Sequence, residues 1–137
     1  MIDFDNHTEY KINEAEFERI LEAVAPSKNL ELIIVDDEEI RGLNAEYRKL
    51  DKPTDVLSFP IKESKTDFIG SIIISADTAK RVADELGHSF EKEMQILFIH
   101  GLLHTIGFDH ETDNGQMREK EAQIASVIGL DEAMLSR

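Results

Sequence analysis

The sequence predicts an α+β fold, a small mixed β-sheet of about four strands packed with about five helices. Two observations carry that reading. Short β-branched apolar runs alternate with segments of helical period, and two of those runs flank a short polar stretch in the manner of a hairpin, which a purely parallel sheet lacks. A third observation bounds the size. At 137 residues with 41% hydrophobic side chains, the chain suits one domain, residues 1–137, with a real core. No repeat, low-complexity tract or Pro/Gly/Ser-rich linker divides it.

The elements follow in order. Asn13 is set to cap a first helix, with Glu16 three residues on as reciprocal capping partner, Phe17, Ile20, Leu21 and Val24 on its apolar face, and Pro26 as its stop. Leu30 to Val35 has the profile of a buried strand. A second helix opens at Asp36 or Asp37 and carries Ile40, Leu43, Tyr47 and Leu50 on one face until Lys52-Pro53-Thr54 breaks it. Val56 to Phe59 reads as a strand ended by Pro60, and Phe68 to Ser75 as another, in which Gly70 signals a bulge or a close backbone approach. Ser75 caps a third helix bearing Ala79, Val82, Ala83 and Leu86 and closed by Gly87. Ser89 caps a fourth, running to about Ile106 and stopped by Gly107, and a last helix covers roughly Asn114 to Ile128.

Charge narrows the function. Fifteen Lys and Arg against 29 Asp and Glu give a net charge of −14. That excludes a wholly basic surface gripping nucleic acid non-specifically, so any such role rests on a local cationic patch or a bound metal. The absence of cysteine rules out disulfides, thiolate nucleophiles and Cys-based zinc sites, and suits a reducing compartment. The acidic start, Met1-Ile2-Asp3-Phe4-Asp5, lacks the pattern of a signal peptide, and the longest apolar stretch, Met94 to Phe108, is interrupted by His100 and His104. A soluble, cytoplasmic protein without a membrane span is expected.

The chemistry concentrates in His100-Gly101-Leu102-Leu103-His104-Thr105-Ile106-Gly107-Phe108-Asp109-His110. His100 and His104 are four apart on an expected helix, so their rings project from one face a turn apart. Gly107 permits a left-handed turn after the helix, and His110 can then close a third corner. Three imidazoles so placed suit one Zn²⁺ per chain with a fourth position open, although nickel, cobalt or copper accept the same donors. Metal binding outweighs coincidence at this spacing; His7 and His88 carry no such pattern and are expected to be solvated surface residues. The spacing is also that of metzincin proteases, but the glutamate those enzymes carry after the first histidine is here Gly101, which argues against peptide hydrolysis.

The string H-G-x-L-H-x-x-G-x-D-H resembles the signature of the YbeY family of bacterial rRNA maturation factors. A second block, Asn44 to Pro60, is similar to that family's N-x-x-Y-R…D-x-P-T-(N/D)-V-L-S-F-P. One position departs: the family usually has Gly-Asp at the start of the third strand, and here it is Gly70-Ser71. The resemblance implies a zincin-like metal site on a central helix. It further implies a metal-dependent endoribonuclease specific for single strands, acting in maturation of the small-subunit rRNA 3′ end and in ribosome quality control. His100, His104 and His110 match the family's zinc ligands, and Arg48 matches its functionally important arginine.

On this reading a zinc-bound water attacks the RNA phosphodiester, His100 counts as catalytic as well as ligating, and the Arg48 guanidinium clamps the phosphoryl oxygens as negative charge develops. Asp109 and Glu111 flank a ligand and are candidates to orient an imidazole; Asp55 is a weaker one, and no general base is assigned. Ser58 is expected to pack within its strand, and Met117 to fill core. Arg48, Lys49 and Lys52, joined by Lys62, Lys65, Lys80 and Arg81, are candidates for a positive strip, whereas no aromatic stacking platform is expected in a chain with 7% aromatics and no Trp. The expected partners are single-stranded RNA and the ribosome or its small-subunit proteins, with a monomer as the default state. Two other functions compete: a non-catalytic ribosome-assembly factor braced by zinc, and a metallohydrolase of another substrate.

Overall fold

The computed structural model describes residues 1–61, 66–108 and 115–130. Along these the elements run β1 (Ile2–Asn6), α1 (Glu14–Val24), β2 (Asn29–Val35), α2 (Asp37–Arg48), β3 (Val56–Pro60), β4 (Phe68–Ser75), α3 (Ala76–Leu86), α4 (Phe90–Thr105) and α5 (Gln116–Ile128). The four strands form one sheet in the order β1-β2-β4-β3. β1 and β4 both lie parallel to β2, and β3 runs antiparallel to β4, pairing Val56 with Ile74 and Pro60 with Gly70. The mixed α+β class is therefore as the sequence predicts, and the fourth strand is β1, the segment that the sequence reading leaves unplaced. Ile2 and Phe4 turn inward onto the core while Asp3 and Asp5 face solvent, the period-two alternation of a half-buried edge strand.

Alternation also sorts the sheet into two faces. Leu30, Leu32, Ile34, Ile72 and Ile74 point to the larger core, which they share with Phe17, Ile20 and Leu21 of α1, with Phe98 and Leu102 of α4, and with Ile124 of α5. Val35, Leu57 and Ile73 point the other way, under Ile40 of α2, with Phe59 and Leu43 packed at the margin. Helix α4 is the centre of the larger core. It is apolar nearly all round, with Met94, Ile96, Leu97, Phe98, Ile99, Leu102 and Leu103 buried, as a helix enclosed by its neighbours must be. Phe98 meets Phe17 edge-to-face at 5.1 Å between ring centroids.

Helix starts follow the sequence closely. Asp36, Ser75 and Ser89 accept hydrogen bonds from Glu39, Thr78 and Lys92 backbone N–H groups, each satisfying an end donor of its helix. The reciprocal half of the Asn13 box does not form: Asn13 accepts from Ala15 N–H, while the Glu16 carboxylate turns outward to Arg19 and Gln95. Two faces also differ from expectation. Leu86 and Tyr47 are exposed although each keeps the period of its helix, and Leu50 is exposed beyond the end of α2 at Arg48. No helix among the described residues is long and apolar enough to cross a membrane.

Candidate functional site

The site forms at the β3 edge of the sheet. Edge strand β3 is held from one side by α2 and from the other by α4, and a cleft of about 640 Å³ opens along it. Tyr47 and Arg48 line it from the end of α2, residues 54–60 from the strand and its lead-in, and His100 and His104 from α4. A volume of this order suits a small ligand or a short segment of polymer.

The helix brings its two histidines to the cleft by local rules. They lie one turn apart, and along the last two turns of α4 the residues between them, Gly101, Leu102 and Leu103, are buried. His100 is half-buried and His104 exposed. At Gly101 α4 presses closely on the sheet: a Cβ built there lies 2.9 Å from Ile72 Cγ2, 3.2 Å from Val56 Cγ2 and 3.3 Å from Ser58 Oγ. Position 101 therefore faces the strands at close packing, with no space for the carboxylate that metzincins carry at that point. The Gly101 carbonyl accepts from Ser58 Oγ at 3.1 Å and from Thr105 Oγ1 at 2.7 Å. Ser58 thus lines the cleft and also ties β3 to α4, more than the strand packing the sequence suggests.

The opposite wall is built by the connection from α2 to β3. Lys49 takes a left-handed conformation at the helix end, φ 61°, which turns the chain sharply after Arg48. Asn44, buried inside α2, donates from Nδ2 to the Lys52 carbonyl at 2.9 Å, and Arg41 pairs with Asp51 at 2.8 Å, so the turn is pinned at two points. These two residues hold Arg48 in place without touching the cleft, a role the sequence motif does not announce. Asp55 accepts from Val56 N–H at 2.8 Å and its carbonyl from Ser75 N–H. Its carboxylate fastens the start of β3 at the wall of the cleft that His100 and His104 also line.

Arg48, Lys49 and Lys52 are exposed at this end of α2 and its loop. Lys80 and Arg81 do not extend the strip: they pair with Asp84 and Asp37 on and near α3, and neither lines the cleft. Sequence reasoning also missed an aromatic pair. Tyr47 and Phe59 meet edge-to-face, ring centroids 5.3 Å apart and planes at 70°, at the cleft wall. The spacing Tyr47…Phe59 crosses a helix end and a loop, so no sequence period links them.

His110, Asp109 and Glu111 lie outside the described residues, as do Lys62 and Lys65. Among the described residues no three His, Asp or Glu side chains gather closely enough to hold a metal ion. Two imidazoles one helical turn apart, lining one cleft on an anchored helix, are nonetheless donors of the right chemistry for zinc. Of the other two histidines, His7 is exposed as expected, whereas His88 is not. His88 is largely buried and bonds the buried Glu93 at 2.7 Å, and His7 bridges Asp5 and Glu39, each at 2.8 Å. Ser71 donates to Glu31 across β4 and β2.

Comparison with known proteins agrees on one family. The family model Endoribonuclease YbeY matches residues 3–129. The chain is 49% identical to Endoribonuclease YbeY of Nautilia profundicola, over 100% of this chain and 98% of that protein, and 47% identical to Endoribonuclease YbeY of Aliarcobacter butzleri, over 100% and 99%. Among solved structures it is similar to the solution structure of TM1509 from Thermotoga maritima, with a TM-score of 0.69 and 33% identity over 94% of this chain and 90% of that one. Fold and relatives together define a class, the α+β proteins of an endoribonuclease family. Within it, the chain belongs to the YbeY family.

Proposed function

We propose that the protein cleaves single-stranded RNA in ribosomal RNA maturation and ribosome quality control in the cytoplasm, with the β3 cleft as its active site. One observation carries the proposal: a guanidinium from α2 and two imidazoles from α4 line the same cleft, across an edge strand that keeps the two helices apart. Arg48 offers paired N–H donors matched to phosphoryl oxygens, and its exposed position leaves them available as charge builds in the transition state. Removing such a donor typically costs about 10²–10³ in rate.

His100 and His104, with His110, are the residues that would hold zinc. When bound, zinc supplies Lewis acidity to a phosphoryl oxygen and acidifies a coordinated water. The chain's own part is placement. Close packing at Gly101 and the Ser58 bond fix the histidine helix against β3, while Asn44 and the Arg41–Asp51 pair fix the arginine. Asp109 and Glu111 are the candidates to orient a ligating imidazole. The surrounding cations Lys49 and Lys52 offer a few phosphate contacts only, so affinity for RNA should fall shallowly with salt. Docking on the ribosome or small-subunit proteins would supply the remaining recognition.

The test pairs metal analysis by mass spectrometry with cleavage of single-stranded and duplex RNA. Wild type is expected to carry about one zinc per chain and to cut the single strand, with His104→Ala losing both. A His104→Ala protein that keeps metal and activity would refute the proposal. A wild type that binds ribosomes without cutting RNA would favour the assembly-factor alternative instead.

A further inference from the structure

We infer that the Tyr47 ring, braced by Phe59, is a stacking platform for one unpaired nucleobase and is the residue by which this cleft prefers single-stranded over duplex RNA. The inference rests on the RNA-cleaving reading above and assigns its specificity to a side chain.

Tyr47 is an aromatic residue that the fold does not bury. Its exposure is 59%, and three of the six large hydrophobic residues exposed among the described positions, Tyr47, Leu50 and Ile61, come from the short segments that end α2 and follow β3. An exposed ring contributes little to folding, yet this one is held in a defined place. Phe59 meets it edge-to-face at 5.3 Å and is itself seated on the Val35, Ile40, Leu57 and Ile73 cluster beneath α2. Gly70 secures that seat: its backbone, at φ 141°, passes so close to the Phe59 carbonyl that a Cβ would stand 2.4 Å from the oxygen. Tyr47 is therefore pre-positioned by a chain of packed groups running back to the core, which lowers the ordering cost of binding against it.

Its neighbours say what it binds. The next residue is Arg48, and Lys49 and Lys52 follow, three exposed cations that form no ion pair among the described residues of a chain of net charge −14. An aromatic face beside exposed cations is the pairing of contacts that holds single-stranded nucleic acid: bases stack on the ring while the backbone meets the charges. In a duplex each base is already stacked and paired, so its face is withheld from the ring unless the strand opens. A base on Tyr47 would place the phosphate beside it within the span of the same cleft that His100 and His104 line. Stacking needs the face of the ring and not the phenol, so phenylalanine should serve as well as tyrosine.

The experiment measures binding and cleavage of a single-stranded RNA oligonucleotide carrying 2-aminopurine, and cleavage of its duplex, for wild type and for Tyr47→Ala, Tyr47→Leu and Tyr47→Phe. Thermal unfolding is recorded for each, and the exposed position predicts little change. Tyr47→Ala and Tyr47→Leu are expected to weaken single-strand binding and raise KM by about 10-fold, with kcat less affected, and to narrow the preference over duplex. Tyr47→Phe should match wild type and keep the fluorescence change on binding. If Tyr47→Leu binds as tightly as wild type, the contact is merely apolar and the inference is wrong. If Tyr47→Ala leaves binding and cleavage untouched while wild type cuts single strands, the ring serves something else, such as a protein partner, and the RNA-cleaving reading stands without it. If wild type neither binds nor cuts single strands, that reading fails first and takes this inference with it.

Discussion

The Ser58 hydroxyl donates to the Gly101 carbonyl at 3.1 Å, across the seam where edge strand β3 meets the histidine helix α4. The seam admits no side chain at 101 and is closed by this bond, so two substitutions should act on it differently. Ser58→Ala removes one hydrogen bond but leaves the carbonyl satisfied by Thr105, at a cost of about 1 kcal/mol. Gly101→Ala forces a methyl to within 2.9 Å of the buried Ile72. Overpacking of that kind costs about 1–3 kcal/mol, against which the better helix propensity of alanine returns about 1 kcal/mol. Urea denaturation should show both variants less stable than wild type; a Gly101→Ala protein more stable than wild type would mean that the helix is not pressed on the sheet.

His7 bridges the end of β1 to the first turn of α2. Its hydrogen bond to the Asp5 carboxylate, then that to Glu39, raise its pKa above the ordinary 6.5. A raised value means that the folded state holds the proton more tightly than the unfolded chain. The bridge's contribution is then fully present below pH 6.5 and is lost as pH climbs through the raised value. Because the ring is well exposed, the effect is modest. His7→Gln should be less stable than wild type at pH 5.5 and indistinguishable from it well above neutrality, as read from melting temperatures across that range. A gap that widened with pH would reverse the sign of the argument.

His88 and Glu93 form a bond between the α3–α4 turn and the first turn of α4, with side-chain exposures of 11% and 1%. Removing a hydrogen-bond partner from a buried carboxyl group is costly, and His88→Ala should destabilise by about 1–3 kcal/mol in chemical denaturation. A neutral result would mean that water or other groups satisfy Glu93 in its place.

How far the sequence could be read is clearest in particular residues. The helices were legible because side-chain caps such as Ser75 and Ser89 and the period of Ile20, Leu21 and Val24 are local signals. β1 was obscured by Asp3 and Asp5, residues of poor strand propensity that here sit on the outward face of an edge strand. At the site, the histidine pair was visible as an i, i+4 spacing, and Gly101 as a missing carboxylate. Its reason, the close contact with Ile72 and Val56, is long-range packing and left no local mark. The same holds for Tyr47 and Phe59, whose meeting depends on where α2 stops relative to the sheet edge, and for His88, which is largely buried and bonded to Glu93 in the first turn of the next helix.

The cleft reading turns most directly on the rate at which Arg48→Ala cleaves single-stranded RNA. Arg48 is exposed and lines the cleft opposite the histidines, so its truncation should leave folding and metal content as in wild type. Cleavage by Arg48→Ala should be slowed by about 100-fold or more, without rescue by Arg48→Lys, whose single ammonium lacks the paired donors. Cleavage at the wild-type rate by a folded, metal-loaded Arg48→Ala protein would contradict the cleft reading.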